Sequence, residues 1–114
     1  MMIRVYVMDV NENGVVYSGC VDEIENDTDS VEQYVGGEYT QIPLQDDIVI
    51  LIQKDHKNLP INRAVVKNGE IMDILRGKVV CTRNSPNGLS SISDNDIDVI
   101  MKYLLPFFEL DGEM

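Results

Sequence analysis

The stretch Leu59-Pro60-Ile61-Asn62-Arg63 sets an amide and a guanidinium side by side among apolar residues. A guanidinium offers a rigid fork of donors to a carboxylate or phosphate, and an Asn side chain pairs with a base edge or a peptide group. Convergence of Arg76, Lys78 or Arg83 on this pair would make an anion pocket. The same residues have a structural use, in which Asn62 bonds turn backbone and Arg63 pairs with Asp73. Other patterns carry less chemistry. Asp94-x-Asp96-x-Asp98 opens like a calcium loop, but Val99 and Leu105 stand where that loop needs Gly and Glu. Its acids fit the first turn of a helix instead. His56, the single histidine, lies in the polar step Asp55-His56-Lys57 with no nucleophile motif around it. Cys20 and Cys81 form no C-x-x-C pair, and two Cys with one His fall short of four zinc ligands. Both read as reduced thiols. Gly36-Gly37 is not a phosphate loop, and no nucleotide-binding or hydrolase signature occurs. No catalytic residue, metal or cofactor is expected, and the chain reads as a non-enzyme.

The elements that would position these residues follow from periodicity. Ile3 to Val10 reads as a strand, Asn13-Gly14 as a hairpin turn, and Val15 to Ile24 as the return strand, with Gly19 marking a bulge. Caps among Asn26 to Asp29 precede Val31, Tyr34 and Val35 at helical spacing, and Gly36-Gly37 ends that helix. Glu38 to Leu44 is a strand that Pro43 sends to an edge, and the apolar run Ile48 to Ile52 is a central strand. Lys54 to Pro60 is a loop. Residues 62–66 read as extended or as one helical turn, and 71–75 fit either class. Lys78 to Thr82 is a strand, and Arg83 to Gly88 a polar loop. Ser93 caps a helix whose Ile97, Ile100, Met101 and Leu104 face the sheet, with Pro106 as its stop. Phe107 and Phe108 anchor the core or form a docking patch, the core being preferred. The expected fold is α+β, a mostly antiparallel twisted sheet of about five strands, hairpin first, with two helices packed on it. Residues 1–108 make one domain and 109–114 a frayed acidic tail.

The 114 residues carry a net charge of −11, unevenly spread. Residues 1–34 hold eight acids and one base, Arg4; residues 35–85 hold six acids and seven bases; residues 86–114 hold six acids and one base, Lys102. Such a surface repels nucleic acid and anionic membranes. The acidic ends keep a protein soluble, and they also suit a face that meets a basic partner. Asp22, Glu23, Glu25, Asp94 and Asp96 are the candidates for that face. Met1-Met2-Ile3-Arg4 does not open a signal peptide, and a cytoplasmic location is expected.

Four pieces occur in order: the helix ending in Val35-Gly36-Gly37, then Leu59-Pro60-Ile61-Asn62-Arg63-Ala64, then Ile71-Met72-Asp73-Ile74 with Gly77, and last Leu89-Ser90-Ser91-Ile92-Ser93-Asp94. Together they resemble domain-of-unknown-function family 3846, over roughly residues 3–105. The resemblance implies a small protein of phages and mobile elements in Gram-positive and gut bacteria, without established enzymatic activity. Some relatives are grouped with anti-CRISPR candidates. The family's Asn-Arg step falls on Asn62 and Arg63, and its Asp on Asp73. The first hairpin, Asn11 to Gly19, is longer than usual for the family. The resemblance and the acidic ends lead to an anti-defence protein that blocks a host immune effector in the bacterial cytoplasm by direct binding. The alternative is a sponge that sequesters a nucleotide immune signal on Asn62, Arg63, Asp73 and Arg76. That reading brings a homodimer with it, since such pockets are often built between subunits. A further alternative is a phage scaffolding protein. Neither membrane nor direct nucleic-acid binding is expected.

Overall fold

A computed structural model describes residues 1–106. The expected tail over 109–114 and the role of Phe107 and Phe108 lie outside the described residues. The fold is α+β with antiparallel strands and two helices, as expected. Its strands divide between two sheets.

Strand β1 (Met2–Met8) pairs with β2 (Cys20–Glu25) in an unbroken register from Met2 opposite Glu25 to Val7 opposite Cys20. The turn between them is held by Asn11, whose Oδ1 accepts from the amides of Asn13 and Val15. The return strand starts at Cys20 rather than Val15. Only Val16 bridges back, to Val10. Helix α1 (Thr28–Val35) starts on Asp27, whose carboxylate accepts from the Ser30 amide, and ends at Gly36 in left-handed backbone. Strand β3 (Tyr39–Gln45) pairs with β4 (Ile48–Gln53), and Leu44 is the extra residue of a bulge, buried at 3% exposure.

Strand β5 (Ile61–Lys67) settles residues 62–66 as extended, and β6 (Glu70–Arg76) does the same for 71–75. The turn between them, Asn68-Gly69, has positive φ at both residues, the backbone that a two-residue hairpin demands. Strand β7 (Val79–Ser85) runs into the stretch expected as a polar loop, and β8 (Gly88–Ser90) turns back on it. Only a tight turn at Pro86-Asn87 is left of that loop. Helix α2 (Asp94–Tyr103) ends just before Leu104, which its apolar spacing had placed on the helix. Leu104 opens β9 (Leu104–Pro106), which pairs with β5. Leu104 is buried there in the strand, whereas Met101, expected on the packed face, is exposed.

The six-stranded sheet runs β2-β1-β7-β4-β3 with β8 added on β7, and the three-stranded sheet runs β6-β5-β9. Pro43 sits on the edge strand β3, where its missing N–H costs no ladder bond. On one face of the large sheet, Val31 and Val35 of α1 cover Ile3, Val5, Leu51 and Val80. On the other face, Val65, Leu75 and Ile100 cover Met8, Ile50, Val79 and Cys81. Strand β4 therefore reads as a continuous apolar run because both of its faces are covered. Each such fully buried aliphatic side chain contributes roughly 1.5–3 kcal/mol. No helix among the described residues is long and apolar enough to cross a membrane.

Candidate functional site

Asn62 is the extra residue of a bulge in β5: Ile61 stands opposite Arg76 and Arg63 opposite Leu75. A bulge re-aims a side chain, and the Asn62 amide lies inside, fully buried. Its Nδ2 donates to the Met8 carbonyl at 2.9 Å and the Gly77 carbonyl at 2.8 Å. Its Oδ1 accepts from Arg63 Nη1 at 2.7 Å. Arg63 also donates through Nη2 to the Tyr17 carbonyl at 2.7 Å. Asn62 thus ties β5 to the end of β1 and to the β6–β7 connection, and Arg63 extends the tie to the first hairpin. Gly77 completes it. The backbone there has φ +76°, its amide donates to the Pro60 carbonyl, and an added Cβ would lie 2.6 Å from a Leu59 methyl carbon.

The other residues expected around Asn62 and Arg63 stand apart. Asp73 faces Val65 across the hairpin, is exposed, and accepts only from the next amide, Ile74. The expected Arg63–Asp73 pair does not form, because the register sets Leu75, not Asp73, opposite Arg63. Arg76 donates to the Leu59 carbonyl at 3.2 Å. Lys78 lies over the Tyr34 ring, 3.7 Å from its centroid, and bonds the Tyr34 carbonyl. Arg83 pairs with Asp96. The structure brings Asn62 and Arg63 together and sends the remaining candidates elsewhere.

The acidic candidates divide in the same way. Strand β2 is an edge strand, and all its residues except Ile24 are exposed. Strand alternation puts Glu23 and Glu25 on one face and Asp22 on the other with Ile24. Asp22 accepts from the Tyr34 hydroxyl at 2.7 Å and from the Glu23 amide. The phenol bond, aided by that amide, lowers its carboxyl below the usual range. Glu23 stands opposite Arg4, whose guanidinium reaches Asp94 at 2.7 Å. Arg4 therefore joins β1 to the start of α2, with Glu23 opposite it on β2. Asp96 does not belong there. It is 5% exposed, accepts from the Ser93 amide in a reciprocal cap, and pairs with Arg83 at 2.7 Å. Burial opposes its charge, but the Ser93 amide and Arg83 prevail and hold its carboxyl below the usual range. A capping box requires this geometry, so a role in α2 removes Asp96 from the surface.

Arg4 and Tyr34 were missed by sequence reasoning. Arg4 carried a signal, being the one base among the first 34 residues. Cys20 is exposed on β2, and Cys81 is buried on the opposite face of the large sheet, so β1 separates the two free thiols. No group of metal-ligating side chains occurs among the described residues. No curated protein and no solved structure matches the chain. One family does, over nearly the whole fold. From Ile3 at the start of β1 to Leu105 in β9, residues 3–105 match the domain of unknown function DUF3846, and the chain belongs to that family.

Proposed function

We propose that this chain is a non-enzymatic anti-defence protein that works by direct binding in the host cytoplasm, with edge strand β2 as its contact surface. The observation that carries this reading is the placement of Asp22, Glu23 and Glu25 on one exposed, regularly paired edge strand. An edge strand offers unpaired backbone groups to an added strand, and acidic side chains along it select a basic partner and discourage self-pairing. Surfaces that handle nucleic acid are basic, so a CRISPR or restriction nuclease is the expected target. Asp94, paired with Arg4 opposite Glu23, widens the Glu23 and Glu25 side of that edge.

The test is inhibition of DNA cleavage by purified host nucleases. The native chain is expected to inhibit at least one of them. Reversal of Asp22, Glu23 and Glu25 to Lys is expected to weaken inhibition by about tenfold or more, since like charges across an interface cost several kcal/mol. Unchanged inhibition after the triple reversal would sink the acidic-edge mechanism.

The sponge reading draws less support. Asn62 spends its amide on backbone carbonyls and on Arg63, and Asp73 and Arg76 point to other partners.

A further inference from the structure

The first hairpin, α2 and β9 border a cleft of about 470 Å³ on the α2 side of the large sheet. Its volume suits a small molecule. Met8, Met101, Leu104 and Leu105 supply apolar wall, and Tyr6 supplies a polar group. Tyr6 is 8% exposed, yet its hydroxyl has no hydrogen-bond partner among the described residues. No fully buried side-chain polar atom lacks a partner, so this hydroxyl meets the open cleft. Gly19 leaves the room for it. A Cβ at Gly19 would sit 2.3 Å from the Tyr6 hydroxyl oxygen and ring. Gly19 was expected to mark a bulge, but the β1–β2 register has none, and its lack of a side chain serves the phenol instead.

Left without a protein partner, the hydroxyl is open to the polar atom of a ligand. Burial raises the Tyr6 pKa, with Arg63 working against it, so the phenol keeps its proton and donates at neutral pH. What it needs is an acceptor. Among the described residues no carboxylate lines the cleft to hold a cation. The net charge of −11 disfavours an anion. Arg63 also lines the cleft, but its guanidinium is engaged inside the protein, with Asn62 and the Tyr17 carbonyl among its partners, and its charge does not select the ligand. We propose that this cleft binds a neutral carbonyl compound with an apolar body, the carbonyl oxygen accepting from the Tyr6 hydroxyl. A carbonyl brings no donor of its own for the apolar wall to leave unpaired. The flexible thioethers of Met8 and Met101 adapt to such a body, and their sulfur favours an aromatic one.

Acetophenone, neutral with one carbonyl, is a direct probe, and benzoate is its anionic counterpart. Binding to the full chain is followed by the methyl resonances of the methionines. Saturable binding of acetophenone is expected to shift Met8 and Met101, which line the cleft, and to leave Met72, on the exposed part of β6, unmoved. Benzoate is expected to bind more weakly. Tyr6→Phe preserves the ring and removes only the donor, and is expected to weaken acetophenone about fivefold. The same change is expected not to lower the urea midpoint, since no bond within the protein is lost. Absence of saturable shifts up to millimolar acetophenone overturns the proposal. So does benzoate affinity equal to or above that of acetophenone, or acetophenone affinity unchanged in Tyr6→Phe. A lowered urea midpoint in Tyr6→Phe would give the hydroxyl a partner inside the protein, and overturns it too.

Discussion

Asn62 engages both ends of its amide inside the protein, bonding two carbonyls and one guanidinium. Replacing it with Ala strands the Met8 and Gly77 carbonyls away from water and frees Arg63 from its neighbour. An unsatisfied buried group costs about 1–3 kcal/mol, so Asn62→Ala is expected to destabilise by about 3 kcal/mol in urea unfolding. Asp73→Ala, on an exposed carboxylate, is expected to stay within about 0.5 kcal/mol. Equal effects would contradict the assignment of Asn62 to the fold. A bond from Asn62 to backbone was expected from the sequence, but its acceptors, the distant Met8 and Gly77 carbonyls, are set by the fold. The partner of Arg63 was not legible in the sequence. It depends on which residue of β6 comes opposite, and the bulge at Asn62 shifts that register. The two cysteines differ at the same scale. Burial pushes the Cys81 thiol well above its ordinary value, partly offset by Arg63, whereas Cys20 is exposed. A disulfide reagent is expected to titrate about one thiol in the native chain and both in urea, because access and thiolate character govern the rate. Rapid reaction of both thiols in the native chain would contradict the packing.

At the scale of elements, the two helices were the parts most legible in the sequence, because caps are local. Asp27 and Ser93 lie within three residues of the amides they accept from. Strands β5, β6 and β9 were harder to read. Their pairings are set by contacts with the rest of the fold, and β9 takes residues that helical spacing had assigned to α2. The α2 cap makes a pH prediction. Asp96 has its folded pKa lowered, so its unfolded form binds protons more readily. Its contribution is complete above the ordinary Asp value of about 4 and is lost as pH falls through the lower folded value. Asp96→Asn removes the charge that Arg83 and the Ser93 amide stabilise, and hydrogen bonds to charged groups are worth about 1.5–3 kcal/mol. The variant is expected to lose roughly that much at pH 7 and progressively less as pH drops below about 4. A penalty independent of pH would show that size, not charge, sets the role of Asp96. Ser93→Ala is expected to cost about 1 kcal/mol through the lost cap.

For the whole molecule, the question is which part of an uneven charge distribution meets a partner. The acidic ends of the sequence do not form one continuous surface. Asp96 is inside, Asp22 lies on the α1 side of β2, and Glu23, Glu25 and Asp94 lie on the other side around Arg4. What unites them is the edge of β2. Burial and pairing, which charge counting cannot supply, turned an overall acidic character into one strand. The near-neutral middle of the chain supplies β3 to β7 and most of the Asn62 tie, and its bases are mostly spent on internal carbonyls and on Asp96. Loss of inhibitory activity on reversing β2 charges should therefore occur without loss of fold. The most direct measurement compares the native chain with the Asp22→Lys, Glu23→Lys, Glu25→Lys variant for inhibition of host nuclease cleavage, alongside their thermal unfolding. Both chains are expected to unfold in one cooperative transition, with inhibition at least about tenfold weaker in the variant. Equal inhibition by the two folded chains, or none by the native chain against any host nuclease, would contradict β2 as the contact surface.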